Sequence, residues 1–314
     1  MSLLTRHLTE AHWAALSERA TPNGVRLADV TRSGLRHPDS SVGIYAPDFQ
    51  SYDVFRELFD PILESFQAPS LSRCNDLACL NPATVVSTRI RAARNLVGHL
   101  FPAGMSRSER LSVEEKITHA CRCLAPDFQG TITQLKDIPQ GKLDAMISRR
   151  LAFGPEDKYM VAAGIHADWP VGRSVFNTHT QQLSVWINEE DHLRVAVVMP
   201  GACVSACHEV MASVMSRLAA QLDFCTDAQR GYLTSCPSNV GSAMRVSYRV
   251  DLRLDALQAP HRERLESAGI LQLRGAAGEH VPRTGGVVDV SFRNRVGALE
   301  AHMLRDMDML LAKT

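Results

Sequence analysis

The sequence predicts an α+β protein: a small all-helical N-terminal domain followed by a larger domain with an antiparallel β-sheet flanked by helices. Three observations predict it. Residues 1–70 carry apolar side chains at helical spacing. Met244 to Leu254 alternates apolar and polar residues, which on a strand gives one apolar face and one polar face. The apolar runs Leu183 to Ile187 and Val195 to Met199 flank a polar turn, as neighbouring antiparallel strands do.

In chain order, Leu8, Trp13 and Leu16 fit one helix face, and Phe55, Leu58, Phe59, Ile62 and Phe66 fit another, with Pro61 a point of kinking or restart. Residues 1–70 form the helical domain, 71–84 a linker ending at Asn81-Pro82, and 85–314 the larger domain. Val85 to Arg91 reads as a strand. Ser106 and Glu109 have capping-box spacing and open a helix running towards Leu124. Val210, Met211, Val214, Met215, Leu218 and Leu222 make an amphipathic helix whose methionines pack a core. Val287 to Phe292 reads as a strand and Val296 to Leu311 as a closing helix.

The 314 residues are 45% hydrophobic, enough for two cores, and the 34 Lys+Arg balance 34 Asp+Glu. That balance argues against a nucleic-acid or anionic-membrane surface, which would show basic excess. No signal-like or bilayer-spanning run is present, so a cytoplasmic protein with reduced thiols is expected. Cys121-x-Cys123 and Cys203-x-x-x-Cys207-His208 lack the paired ligand sets of a structural zinc site. Seven of the eight cysteines therefore read as buried thiols.

The chemistry concentrates in Asn188-Glu189-Glu190-Asp191-His192-Leu193-Arg194, where adjacent carboxylates meet an arginine at the end of a sheet. Such a cluster calls for a bound cation. Arg89 and Arg91 share one strand face, and Arg194, Arg245 and Arg274 lie on or beside other apolar runs. A guanidinium is permanently charged and grips phosphate oxygens through two parallel N–H donors. Any one strand arginine alone is more simply a solvated surface residue. Neither a G-x-x-x-x-G-K-[ST] loop nor a G-x-G-x-x-G turn opening a helix is present, which argues against P-loop and Rossmann enzymes.

Taken with Ser87-Thr88-Arg89-Ile90-Arg91 and Cys236-Pro237-Ser238-Asn239, the acidic turn resembles that of the phosphagen (guanidino) kinases, and the likeness runs over nearly the whole chain. The resemblance implies reversible in-line phosphoryl transfer from MgATP to a guanidinium nitrogen. It implies that Arg89, Arg91, Arg194, Arg245 and Arg274 cage the phosphates and that Asp289 lies near the nucleotide sugar. It makes Glu190 and Glu279 the carboxylates that grip the guanidinium, Cys236 the reactive thiol, and Glu189 a neighbour of the metal-bound waters with no direct metal ligand. Two carboxylates suit a guanidinium, whose delocalised lone pairs make it a poor nucleophile until one nitrogen is aligned. Ser238 is expected to help depress the Cys236 pKa by hydrogen bonding.

Asp39-Ser40-Ser41-Val42-Gly43-Ile44-Tyr45 is similar to the specificity loop of the arginine kinases, in which backbone amides and a tyrosine hydroxyl meet the α-carboxylate and α-amino group. The resemblance therefore points to L-arginine, through Ser40, Ser41, Val42, Gly43 and Tyr45, with Ser41 where the family has glycine. Two further departures stand out. Arg150 and Arg249 occupy the positions of two adenine-flanking histidines, where two guanidinium planes can stack on the base. Lys158 replaces an arginine that pairs with the aspartate matching Asp39. The competing readings are a kinase for taurocyamine or glycocyamine, a non-catalytic nucleotide- or arginine-binding protein, and a thiol sensor using Cys203, Cys207 and Cys236. The expected partners are arginine and ATP/ADP, acting on a monomer.

Overall fold

The computed structural model describes residues 2–67, 77–254, 259–275 and 286–312. Glu279, Cys74 and residues 71–76 of the expected linker lie outside the described residues.

The N-terminal part is helical: α1 (Leu3–His7), α2 (Glu10–Leu16), α3 (Leu27–Arg36), α4 (Ser51–Val54) and α5 (Arg56–Glu64). Leu4, Leu16, Val30, Ile44, Phe55, Leu58, Phe59 and Ile62 form its core. Ser2 caps α1 and Thr9 caps α2, each hydroxyl accepting a backbone N–H three residues on. That second cap divides Leu8 from Trp13 and Leu16, so the single face expected for these three is split, and Trp13 is left 42% exposed. α5 runs through Pro61 without restarting.

The loop after α3 is set by two glycines in van der Waals contact. Gly34 N–H donates to Gly43 O (2.9 Å), and a Cβ on Gly34 would lie 2.3 Å from that oxygen. Gly43 sits at φ +91°, where a Cβ would also come within 2.7 Å of Leu4 Cβ. Leu3 and Leu4 N–H groups bond to Ser41 and Val42 carbonyls, so the start of α1 clamps the same loop. Gly43→Ala is expected to destabilise the protein by about 2–4 kcal/mol, through the left-handed backbone and the overpacked contact. A denaturant melt checks this.

The larger part contains β1 (Val85–Arg94), α6 (Arg107–Arg122), β2 (Gly130–Gln134), α7 (Gln140–Ser148), α8 (Lys158–Ala163), β3 (Ser174–Thr178), β4 (Leu183–Ile187), β5 (Leu193–Pro200) and α9 (Val204–Ala219). There follow β6 (Thr226–Asp227), β7 (Gly231–Tyr232), β8 (Met244–Asp251), α10 (Ala259–Ser267), β9 (Leu271–Gly275), β10 (Val287–Phe292) and α11 (Glu300–Asp308). Among the described residues, eight strands form one sheet in the order β2-β3-β4-β5-β1-β8-β10-β9, every neighbouring pair antiparallel. The fold is α+β, as predicted.

Register decides which face does chemistry. On β1, Ile90 lies between Val197 and Val246, and Ala92 between Val195 and Met244. This apolar face joins Val113 and Ile117 of α6 and Met211, Val214 and Leu218 of α9 in one buried core. The opposite face carries Arg91 between Ala196 and Arg245, Arg89 between Val198 and Ser247, and Arg194 opposite Ala93. Further across, Arg249, Asp289 and Arg274 line up on β8, β10 and β9. A one-residue slip would exchange the two faces, so the apolar pattern also fixes the arginines.

Some boundaries differ from expectation. β8 stops at Asp251 because its carboxylate accepts the Arg253 N–H and folds the next residues into a 3-10 turn, leaving Leu254 69% exposed. α11 starts at Glu300, four residues later than expected. Leu77, Cys79 and Leu80 are buried, with Cys79 and Leu80 N–H groups on the Leu310 carbonyl. The Ser106–Glu109 capping box forms as read. The expectation of seven buried thiols is corrected: Cys79, Cys121, Cys207, Cys225 and Cys236 are buried, Cys203 is partly exposed, and Cys123 is exposed where it caps the C-terminus of α6. No helix among the described residues is long and apolar enough to cross a membrane.

Candidate active site

The acidic turn between β4 and β5 is held by side chains that are themselves buried. Asn188 adopts φ +57° and donates from Nδ2 to the Arg110 carbonyl (2.9 Å) and the Gly172 carbonyl (2.7 Å). His192 accepts the Leu96 N–H at Nδ1 (3.0 Å) and contacts the Leu100 carbonyl through Nε2 (2.8 Å). That pattern requires a neutral ring, and burial drives its pKa down to about 3. Asp191 Oδ1 accepts from Asn95 Nδ2 (2.8 Å) and Ser235 N–H (2.6 Å), tying the turn to the cysteine loop.

Glu189 and Glu190 thus project onto the polar face of the sheet. Arg194 bridges them, donating from Nη1 to Glu189 Oε1 (2.8 Å) and from Nη2 to Glu190 Oε2 (2.8 Å). Burial nevertheless pushes the Glu190 carboxyl up to about 8; Arg194 opposes the rise, and the neighbouring acids add to it. A site that raises a carboxylate this far favours a second cation beside it.

Cys236 follows Ser235, whose carbonyl accepts the Ala46 N–H (2.8 Å) and so links the cysteine loop to the N-terminal part. The expected Ser238 hydrogen bond is present at 3.1 Å. Its expected effect is corrected: burial and the Glu190 charge together push the Cys236 thiol well above its ordinary value, outweighing Ser238.

The arginines repel one another. Burial, followed by the charges of Arg194, Arg274, Arg150 and Arg295, pulls the Arg91 pKa down. Burial and Arg91 do the same to Arg89, whose buried Nε has no hydrogen-bond partner among the described residues. A polyanion relieves both penalties.

Two cavities share this face. The first, about 350 Å³, runs from Ser40, Ser41, Val42 and Tyr45 past Glu190 and Cys236 to Arg91, Arg194, Arg245 and Arg274. The second, about 180 Å³, lies between Arg89, Arg150 and Asp289 on one side and Phe153 and Trp186 on the other. Arg91, Arg245 and Arg274 line both. Arg150 and Arg249 are drawn together by Asp289, at 2.7 Å from Nη1 and 3.1 Å from Nε respectively, and the two guanidiniums hold its carboxyl below the usual range against the effect of burial. Lys158 Nζ meets Asp39 Oδ2 at 2.5 Å, an exposed pair.

Of the catalytic, substrate-binding and nucleotide-binding residues expected from the sequence, all but Glu279 are described, and each of those except Gly43 and Arg249 lines one of the two cavities; Asp39 and Lys158 line neither. Gly43 shapes the loop from behind, and Arg249 reaches the second cavity through Asp289. Sequence reasoning missed Arg295, which lines the first cavity and reaches Asn239 Oδ1 (3.4 Å), and the aromatic wall of Phe153 and Trp186. Arg295 lies just past β10, outside any alternating pattern, so no periodicity marks it.

No group of three or more metal-binding side chains exists among the described residues, so the donor set does not form a protein cage for a divalent ion. It does suit an ion carried by phosphates. Glu189 is a hard carboxylate at the cavity, with Oε2 held by the Glu190 N–H (2.7 Å), and each oxygen keeps a lone pair for a water on such an ion.

A cluster of fixed guanidiniums for a polyanion, continuous with a carboxylate-lined pocket for a cation, defines a phosphoryl-transfer enzyme with a cationic acceptor. Comparison with known proteins agrees. Residues 1–64 match the model of the ATP:guanido phosphotransferase N-terminal domain, and residues 112–313 that of its C-terminal catalytic domain. An arginine kinase of Limulus polyphemus is 32% identical over 98% of the chain and 89% of its own length. One from Anthopleura japonica is 33% identical over 98% of the chain and 45% of its own length. Among solved structures, a lombricine kinase superposes with TM-score 0.85 at 29% identity, covering 98% of the chain and 90% of that structure. The duplicated taurocyamine kinase from Schistosoma mansoni gives 0.86 at 28%, covering 99% and 46%. The chain belongs to the ATP:guanido phosphotransferase family, the phosphagen kinases, and is an enzyme that transfers phosphate to a guanidino group.

Proposed function

We propose that the enzyme is an ATP:L-arginine phosphotransferase, reversibly moving the γ-phosphoryl of MgATP to the arginine guanidinium to give phosphoarginine and ADP. The observation that carries this is the pair of cavities meeting at Arg91, Arg245 and Arg274. One has the carboxylate and thiol for a guanidinium; the other has the arginines and aromatic wall for a nucleotide. The short loop Ser40 to Tyr45 at the far end of the first cavity, and the arginine kinases among its relatives, support arginine over other guanidines.

In this reading Glu190, with Glu279, fixes the plane of the guanidinium and takes up its proton. Cys236 lies against the same group. A cation placed there lowers the pKa of both, and the arriving substrate draws the proton off Glu190, the group closer to ionising at neutral pH. Arg89, Arg91, Arg194, Arg245 and Arg274 neutralise the phosphates and the equatorial charge that develops during transfer. Mg²⁺ on the nucleotide supplies further charge neutralisation, with Glu189 hydrogen-bonded to its waters. Asp289 approaches the ribose and fixes Arg150 and Arg249, whose planes stack on adenine. Arg150→Ala and Arg249→Ala are each expected to raise the KM for ATP by roughly tenfold with little change in the KM for arginine, the scale of a desolvated cation–π contact. Steady-state kinetics check this. A cytoplasmic monomer is the form proposed, supported by the balanced charge and free thiols.

The direct test is ADP release with MgATP and L-arginine. The proposal requires release that depends on arginine and a product carrying phosphorus on nitrogen. Turnover with taurocyamine, lombricine or glycocyamine in its place would move the substrate assignment while keeping the reaction class.

A further inference from the structure

The first cavity contains a third carboxylate that the chemistry above leaves unused. Asp157 is the N-cap of α8 and lines the cavity beside Tyr159, Met160 and the Ser40 to Val42 loop. Its Oδ1 accepts the Tyr159 N–H (2.9 Å) and the Met160 N–H (3.1 Å). Among the described residues, its Oδ2 makes no hydrogen bond and no cationic side chain pairs with it. The neighbouring ammonium of Lys158 is turned to Asp39 and does not neutralise it. Glu189 and Glu190, by contrast, are both engaged by Arg194.

Its position follows from how the two parts of the chain meet. α3 packs on α8: Ser33 Oγ donates to the Tyr159 carbonyl (2.8 Å), and Arg32 donates to the Ala163 carbonyl. Lys158 then reaches Asp39, so the residues next to this pair, Asp157 and Ser40, both border the cavity at its outer end. The negative charge of Asp157 is felt by Tyr45 and by Glu190, which places it on the same enclosed space as both. With the guanidinium at Glu190 and Cys236, the other end of an extended guanidino substrate lies against the Ser40 loop and Asp157.

We propose that Asp157 is a specificity residue that binds a cationic ammonium on the distal end of the guanidino substrate, selecting a zwitterionic amino acid over guanidines that carry only an acid group there. The inference rests on the arginine reading of the cavity and names what enforces it. A half-buried carboxylate without a partner favours an ammonium and repels a sulfonate or carboxylate at the same point. The loop amides take the acid group; Asp157 takes the amine.

The test compares L-arginine with 5-guanidinopentanoate, which lacks only the α-amino group, in the wild type and in Asp157→Asn. Asparagine keeps the capping oxygen, so α8 is retained while the charge is removed. The wild type is expected to prefer L-arginine by roughly tenfold or more in kcat/KM, the scale of one charge-assisted hydrogen bond. Asp157→Asn is expected to collapse that ratio towards one. Equal use of the two compounds by the wild type overturns the inference without any variant. A preference that survives in Asp157→Asn overturns it as well. Both outcomes leave arginine phosphorylation standing. Failure of the wild type to phosphorylate either compound, with turnover of another guanidine, removes the arginine reading and this inference with it.

Discussion

Glu190→Gln is expected to lower kcat for guanidine phosphorylation by roughly 10²–10⁴-fold, the usual contribution of a positioned acid–base group. Glutamine keeps the side-chain length and an oxygen that can still accept from Arg194 Nη2. In the proposed mechanism it removes the charge that orients the guanidinium and the base that receives its proton. The pH behaviour gives a second reading. Burial raises the Glu190 carboxyl to about 8, so in the free enzyme it is mostly protonated at pH 7. A guanidinium binds the ionised form. Apparent affinity for the guanidine is therefore expected to rise between about pH 6 and 8 and to level off above. Binding at pH 7 is expected to release a proton, measurable by calorimetry in buffers of different ionisation enthalpy. In Glu190→Gln both the slope and the Glu190 share of the release should vanish. A flat affinity profile in the wild type would contradict the assigned role.

Arg245→Ala is expected to cost roughly 10²–10³-fold in kcat, the range seen when a charge-stabilising donor is removed from a preorganised site. Arg245 stands opposite Arg91 on the neighbouring strand and is oriented by Ser291 Oγ (2.6 Å) and Gln272 Oε1 (3.4 Å). It lines both cavities at the point where they meet. Its loss relieves repulsion within the arginine cluster, so the thermal midpoint should hold or rise while transfer fails. That opposition separates a catalytic role from a structural one. Arg245→Lys is expected to recover only part of the loss, because an ammonium keeps the charge and lacks the planar pair of donors. Equal falls in activity and stability would point to packing instead.

Much of this site was legible in the sequence, for identifiable reasons. The alternation from Met244 to Val250 gave both the strand and the polar face, because a period of two places every second side chain on one side. Arg89 and Arg91 shared a face by the same rule, and sheet register then brought Arg245, Arg249 and Arg274 onto it. The acidic turn stood out because carboxylates that close together need a cation, and Arg194 is one such cation. The close approach of Gly34 to Gly43 was not legible, since it depends on how α3 meets the loop. The Cys236 thiol was misjudged for a related reason. Spacing revealed Ser238 but not the burial that outweighs it. Arg295 and Asp157 entered the cavity from segments without periodicity, where tertiary placement alone decides what a side chain meets.

Phosphorus NMR of the purified enzyme with MgATP and L-arginine tests the central claim most directly. A phosphorus resonance of an N-phosphorylated guanidine, growing as ADP appears and reversing on addition of excess MgADP, is the predicted result. ATP that stays intact with arginine, in a folded enzyme that phosphorylates a different guanidine, would contradict it.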